Sequence, residues 1–138
     1  MKSYKFELIE GTPSSLVEDA VSEIEELASE IKDWKSKMEG TNLEGSDKYQ
    51  TLDNAHSELS EVSNNIEEWP HDDVRVTCYI SVPKRKKRSP SRAVRLENAN
   101  AKINAVKEFY ENLDGDYSEI TDALEAMVKE VEFPGMYG

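Results

Sequence analysis

Two long segments repeat apolar residues at the spacing of an α-helix, and this periodicity constrains the fold more than any other feature. Between residues 13 and 39, apolar residues recur three, four or seven positions apart, as the side chains on one face of a helix do. A second such stripe lies between residues 46 and 69, and Gly40 and Gly45 bracket the short loop between the two. Helices joined by a short loop pack in opposite directions, so the sequence predicts an antiparallel helical hairpin over residues 13–69.

Two short segments alternate apolar and polar residues, which is typical of half-buried β-strands. They cover residues 3–9 and 74–82. The sides predicted to face the core carry Tyr4, Phe6 and Leu8 in the first segment, and Val74, Val76, Cys78, Ile80 and Val82 in the second. Because isolated short strands are unstable, the two are predicted to pair as a ribbon.

A second helical hairpin is predicted over residues 91–131, with Asp114-Gly115 between its two helices. A basic loop at 84–92 precedes it, and a tail at 132–138 follows it. The predicted fold is therefore α+β and mostly α, a single domain over residues 1–138. Its two antiparallel helical hairpins are joined by a two-stranded β ribbon in the order β-α-α-β-α-α.

The net charge of −12 is unevenly distributed along the chain. Residues 1–83 carry 7 basic and 19 acidic side chains, and residues 108–138 carry 1 basic and 9 acidic ones. Residues 84–107 reverse this balance, with 9 basic side chains and 1 acidic one. Such asymmetry bears on partners and not on fold.

Seven cations within a dozen residues form the clearest local candidate for a binding site. They are Lys84, Arg85, Lys86, Lys87, Arg88, Arg92 and Arg95. Arg92 and Arg95 are three positions apart on a predicted helix and should face the same way. Phosphate backbones attract such clusters, although no aromatic residue stands among the cations to stack on bases. Three interpretations stay open: nucleic-acid binding, docking on an acidic protein surface of the same or another copy, and a solvated loop.

The first predicted helix carries a second candidate site, made of carboxylates. Its partner-binding candidates are Glu18, Glu25, Glu26, Glu30 and Asp33. Carboxylates at helical spacing lie about 5–10 Å apart, which is close to the separation of phosphates along DNA. The helix could therefore act as a DNA mimic and inhibitor, or it could simply present a solubilising face. Trp34 is a further candidate for a partner contact, with core packing as the alternative, and Trp69 is predicted to pack on the strands.

The residues that usually carry catalysis are few. The chain has two histidines, His56 and His71, and one thiol, Cys78, which falls on the inward side of its strand. His71-Asp72-Asp73 reads as a polar turn, since three adjacent ligands cannot converge on one metal ion. We expect no enzymatic activity, no cofactor and no metal.

No apolar run reaches the roughly 20 residues that a membrane span needs. The N-terminal residues lack the apolar stretch of a signal peptide, and a single cysteine agrees with a reducing compartment. The expected location is the cytoplasm, without a membrane partner.

The stretch from Asp33 to Tyr49 resembles the helix–loop–helix of small acidic proteins encoded by tailed bacteriophages. The similar elements are the tryptophan, the Met-Glu-Gly-Thr-x-Leu loop, and a tyrosine beginning the second helix. The resemblance spans residues 33–69 and implies a phage-like origin, hence a virion component or a protein acting in the host cytoplasm. It implies no site residues.

These observations predict a non-enzymatic interaction protein, phage-encoded, that binds and modulates a protein partner through its acidic helical faces. A nucleic-acid-processing or defence enzyme would suit such a surface. The alternatives are a nucleic-acid-binding accessory protein that uses the basic loop, and a structural or assembly component of a virion. Self-association into a homo-oligomer is a further expectation.

Overall fold

The structure is a computed structural model that describes residues 4–42, 44–85 and 89–133. Within those ranges the chain forms four helices and one two-stranded antiparallel sheet. The elements follow one another as β1 (Tyr4–Gly11), α1 (Pro13–Met38), α2 (Asp47–Ser60), β2 (Val76–Pro83), α3 (Arg92–Glu111) and α4 (Ser118–Met127). The predicted α+β class, with helix predominating, is confirmed.

The N-terminus of α1 is fixed by two sets of hydrogen bonds. The Thr12 hydroxyl accepts the N–H of Ser15, and Pro13 takes the first helical position, where its missing N–H costs nothing. Asp72, from the loop before β2, accepts the Ser14 N–H at 2.8 Å and the Ser14 hydroxyl at 2.7 Å. The polar turn at 71–73 therefore attaches the base of the ribbon to the start of α1.

α1 packs against both α2 and α3. α3 also packs against β2 and α4. The four helices and Val76 of β2 bury their apolar side chains in one cluster, in which Ile24, Ile31, Leu52, Ile103 and Leu124 are fully buried. Within the described residues, no helix is both long and apolar enough to cross a membrane.

The predicted extent of the second helix is wrong, because α2 ends at Ser60 and not near Trp69. Ser63-Asn64-Asn65 follows, and such side chains compete for backbone groups that a helix would use. Asn64 accepts the N–H of Ile66 at 3.1 Å, and Asn65 donates to the Ser63 hydroxyl at 3.3 Å. Residues 61–70 thus form neither a helix nor a strand.

The end of the second predicted hairpin is also shorter than expected. α4 stops at Met127 rather than near residue 131, and Asn100 of α3 then holds the next segment. The Asn100 side chain donates to the Lys129 carbonyl at 2.7 Å and accepts the Lys129 N–H at 3.1 Å. Most of the predicted tail, residues 134–138, lies outside the described residues.

The two strands pair, as predicted. The pairing is antiparallel, and its register sets Tyr4 opposite Pro83 and Gly11 opposite Val76. On β2, Val76 and Cys78 are buried as expected, whereas Val74 lies before the strand and is exposed. The prediction for β1 is wrong: Phe6 and Leu8 point outward, with 76% and 53% of their surfaces exposed.

The register explains this error. Side chains directly opposite one another share a face of the sheet, and the register places Leu8 opposite Tyr79 on the polar side of β2. Ile9 is the residue that faces inward with Cys78. The alternation of β1 is real, but β2 and α3 determine which side of it is buried.

Trp69 packs against α3 and the hydrophobic core. Its ring lies 6.4 Å from that of Tyr110 in α3, whose hydroxyl donates to the Pro70 carbonyl at 2.7 Å. Burial raises the pKa of Tyr110 to about 12, with nearby Asp72 adding to the shift. This buried phenol fastens the irregular segment 61–70 to α3.

Candidate interaction site

Two arginines of α3 and two glutamates of α1 form a cluster of ion pairs between these helices. Arg95 Nε lies 2.8 Å from Glu23 Oε1, and Arg95 Nη2 lies 2.7 Å from Glu30 Oε2. Arg92 Nε lies 3.1 Å from Glu30 Oε1. Glu23 and Glu30 are seven positions apart, so both stand on the side of α1 that faces the first turn of α3.

The cluster is partly shielded from water, and its charges stabilise one another. The hydrogen bond from Arg95 lowers the pKa of Glu30, and the charges of Arg95 and Arg92 add to that shift. Hydrogen bonds to Glu30 and Glu23 in turn raise the pKa of Arg95. Both shifts favour the charged forms of Glu30 and Arg95.

Trp34 lies beside this cluster, between cations from two other elements. The Arg92 guanidinium and the Lys48 ammonium are each 5.1 Å from the centre of its ring. The face of an indole ring attracts cations, and the side chain is half-buried. Trp34 thus connects the start of α3 and the start of α2 to α1. A neighbouring ion pair, Lys35 to Asp53 at 2.9 Å, joins α1 to α2 again.

Residues that were predicted to bind partners therefore contact one another within the chain: the arginines of α3 pair with a glutamate of α1. The sequence predicts that Arg92 and Arg95 face the same way, and both contact Glu30. Arg92 belongs to the helix and not to the basic loop that was predicted to extend to it. The spacing of the arginines could be predicted from sequence, but the surface they face could not.

The remaining predicted carboxylates of α1 form no contact with the arginines of α3. Glu18, Glu25, Glu26 and Asp33 are exposed, and Asp19 lies among them. Residues seven positions apart on a helix are about 10.5 Å apart along its axis, so these side chains form a stripe more than two turns long. Across residues 4–42, 44–85 and 89–133, none of the five forms an ion pair. We call these five residues the acidic stripe.

The structure describes the two ends of the predicted basic loop. Lys84 and Arg85 are exposed, while Lys86, Lys87 and Arg88 lie outside the described residues. At the far end, the Ser91 hydroxyl caps α3 by accepting the Val94 N–H, and the Ser91 N–H donates to the Tyr4 hydroxyl at 3.1 Å. The start of α3 is thus tied to β1 by a side chain that the ribbon supplies.

Three residues considered for catalysis or metal binding are buried or hydrogen-bonded to other parts of the chain: Cys78, His71 and Asp72. Burial raises the pKa of the Cys78 thiol, which favours its protonated form. His71 is exposed and lies with Nε2 3.2 Å from the Tyr117 hydroxyl, while Asp72 is engaged with α1. In the part of the chain that the structure describes, no group of three or more His, Cys, Asp or Glu side chains could hold a metal ion.

Two features escaped the sequence-based prediction. Glu23 is one of the carboxylates of the first predicted helix, but its pairing with Arg95 was not predicted; its position seven residues before Glu30 is the signal that could have pointed to that pairing. The outward face of the ribbon, with Phe6, Leu8 and Tyr79, was assigned in part to the core. No local signal distinguishes the two sides of β1, because both its register and its orientation depend on β2.

Comparisons with protein-family models, with curated proteins and with solved structures yield no match. A function must therefore be argued from the residues of this chain and their arrangement.

Proposed function

We propose that this chain is a non-enzymatic interaction protein that binds a protein partner with a basic surface through the acidic stripe. The observation that supports this most directly is the contrast between two sets of carboxylates on one helix. Those facing α3 are paired with arginines, whereas those of the acidic stripe are exposed and form no ion pair among the described residues.

An unpaired stripe of like charges favours association with an opposite surface for two physical reasons. It attracts a basic partner over distances of about a Debye length and accelerates encounter. It also displays its charges at a spacing comparable with that of nucleic-acid phosphates. The partner that fits this chemistry is a nucleic-acid-processing enzyme, encountered in the cytoplasm. A phage-encoded inhibitor would be one protein of this type.

In this proposal α1 and α2 form one antiparallel hairpin, and α3 and α4 form another. The ion pair between Lys35, near the end of α1, and Asp53, in α2, supports the first hairpin. The cluster around Arg95 holds α3 against α1, while the side chains of the acidic stripe stay exposed for a partner.

The test is a binding panel of purified nucleic-acid-binding enzymes, measured by biolayer interferometry at two salt concentrations. The stripe variant, E18Q/E25Q/E26Q/D33N, removes four negative charges from the acidic stripe. A matched control, E58Q/E61Q/E67Q/E68Q, removes four exposed carboxylates elsewhere. We expect at least one enzyme to bind the natural chain and the control alike, and to bind the stripe variant at least about tenfold more weakly. Equal weakening by both variants, or no binding across the panel, would contradict the proposal.

A second candidate function, nucleic-acid binding by the basic loop, is favoured by Lys84 and Arg85. Both are exposed, and neither forms an ion pair among the residues that the structure describes. Gel-shift titrations of K84A/R85A against K32A/K37A, which removes two exposed lysines of α1, would test it. If the loop binds phosphates, only K84A/R85A makes the slope of log K against log salt concentration shallower, by about two. Absence of any shift at low salt removes this candidate.

A further inference from the structure

The outward face of the ribbon is an apolar patch that no part of the described chain covers. Phe6, Leu8 and Tyr79 are 76%, 53% and 64% exposed, and the register sets Leu8 directly opposite Tyr79. Single exposed apolar residues are ordinary, but an adjacent group of large ones on a short sheet marks an interaction site.

The two edges of the ribbon differ in whether their backbone groups are satisfied. At β2, Asn98 of α3 accepts the Ser81 N–H and donates to the Ser81 carbonyl, both at 2.8 Å. The Ser81 backbone groups therefore point away from β1. In an antiparallel pair, the residue opposite such a position also directs its N–H and C=O outward, and that residue is Phe6.

The same alternation applies two residues further on, so Leu8 also presents its backbone groups at the outer edge of β1. The side chains of residues 5–8 are all exposed. Among the described residues, nothing pairs with the outer edge of β1 beside the apolar patch, whereas Asn98 bonds both backbone groups of Ser81 at the edge of β2. An open edge is a template for adding a strand.

We propose that the occupant of this edge is β1 of a second copy of the chain, paired antiparallel about a two-fold axis at Phe6. The result is a four-stranded sheet across the dimer. In this register Phe6 lies opposite Phe6 of the second copy, and Tyr4 lies opposite Leu8 of the second copy. Lys5 lies opposite Glu7 of the second copy, and the symmetry forms that ion pair twice.

The sequence of β1 selects this register over its neighbours. The outward backbone groups belong to even-numbered residues, so pairing can slip only in steps that keep even residues opposite even ones. One slip sets Glu7 opposite Glu7, and the other sets Lys5 opposite Lys5. Like charges directly opposite one another destabilise a strand pair, whereas opposite charges stabilise it.

The ribbon is also a region where two acidic chains can approach one another. Residues 4–11 carry one basic and two acidic side chains, and residues 74–85 carry three basic side chains and no acidic one. The two segments together therefore have a net charge of +2. The whole chain carries −12. Approach through the ribbon therefore brings together regions of smaller net charge than approach through the acidic helices does. A strand edge and a small apolar patch make an interface below the standard size of about 1,200–2,000 Å², so the dimer is a weak one.

Cysteine trapping tests the register directly and captures a weak dimer covalently. Phe6→Cys places two thiols across the axis at a distance that a disulfide spans. Leu8→Cys is the matched control, because in this register the two Leu8 positions are about 13 Å apart along the strands. The natural Cys78 is buried. Under mild oxidation at high protein concentration, we expect Phe6→Cys to form disulfide dimers at least about tenfold faster than Leu8→Cys or Glu7→Cys. Equal rates, or faster trapping at Leu8 or Glu7, would overturn the proposal.

A charge swap tests the ion pairs without a cross-link. Lys5→Glu sets two carboxylates opposite one another at both symmetric positions, so sedimentation velocity should show dimerisation weakened about tenfold. The double variant K5E/E7K restores the opposite charges and should dimerise within about twofold of the natural chain. Circular dichroism checks that each variant is folded. A natural chain that stays monomeric at about 1 mM, a concentration that reveals even weak dimers, contradicts the proposal. A double variant as weak as Lys5→Glu contradicts it as well.

Discussion

One helix presents two sets of carboxylates that differ in what they contact. On the side of α1 that faces α3, Glu23 and Glu30 hold Arg92 and Arg95. On the exposed side, the acidic stripe forms no ion pair among the described residues. Both sets have the same residue types and the same helical spacing, so composition and periodicity alone do not reveal which charges are structural. The neighbouring element decides, and here it is the first turn of α3.

The largest expected difference is between two adjacent residues of α1, one buried and one exposed. Ile24 is fully buried and Glu25 is exposed. Ile24→Ala leaves a cavity between the helices and should lower the free energy of unfolding by about 2–5 kcal/mol. Glu25→Ala should change it by less than about 0.5 kcal/mol. Urea denaturation measures both, and similar losses for the two would show that the sides of α1 are not distinct.

A smaller effect is expected from Arg95→Met, which removes the centre of the ion-pair cluster. The Arg95 side chain is only 18% exposed. Its loss removes the partner of Glu23 and leaves Glu30 with Arg92 alone. The free energy of unfolding should fall by about 1–3 kcal/mol, between the values for surface and buried pairs. The control is Arg75→Met, whose pair with Glu10 at 3.7 Å has side chains 60% and 58% exposed. It should cost about 0–0.5 kcal/mol.

The pH dependence of the same variant tests the cause. Because the hydrogen bond from Arg95 lowers the pKa of Glu30, the folded chain releases this proton at a lower pH than the unfolded chain does. The resulting stability is present above the ordinary glutamate pKa of about 4.3 and is lost as the pH falls through the folded-state value. Arg95→Met should therefore flatten the acid side of the stability profile. An unchanged profile would mean that the ion-pair cluster does not couple proton binding to folding.

Much of the fold could be predicted because its determinants are local. Apolar periodicity identified all four helices, and Thr12 and Ser46 cap α1 and α2 as their positions before apolar stripes suggest. The alternation in β2 correctly assigned Val76 and Cys78 to the core. One error occurred where a distant contact decides: Phe6 is exposed because β2 sets the face of β1. The other has a local cause, since α2 stops at Ser60 before polar residues such as Asn64, which accepts the backbone N–H of Ile66.

The candidate site divides in the same way. The exposure of Glu18, Glu25 and Asp33 follows from their position opposite the apolar stripe of α1, and the sequence could predict it. The contact between Arg95 and Glu23 joins residues 72 positions apart and could not be predicted from spacing alone. Long-range pairing requires knowledge of which helices are neighbours.

The junction between the ribbon and α1 should show a smaller effect again. Asp72→Ala removes a carboxylate that accepts two hydrogen bonds from Ser14 at the first turn of α1. Loss of such a cap, together with its favourable interaction with the helix dipole, should lower the thermal and urea stability by about 1 kcal/mol. Asp73→Ala is the matched control, because Asp73 is exposed and adjacent. Equal effects of the two substitutions would show that net charge and not the cap is responsible.

The smallest effect on stability is expected from the acidic stripe itself, and it sharpens the contrast between the two sides of α1. The stripe variant E18Q/E25Q/E26Q/D33N removes like charges that repel one another, so its free energy of unfolding should stay within about 0.5 kcal/mol and rise slightly at low salt. The variant E23Q/E30Q neutralises fewer carboxylates but removes the partners of Arg95, and it should be the less stable of the two. Unfolding in urea at low and high salt measures both. If the stripe variant loses more stability than E23Q/E30Q, the outward carboxylates contribute to folding and are not a surface reserved for a partner.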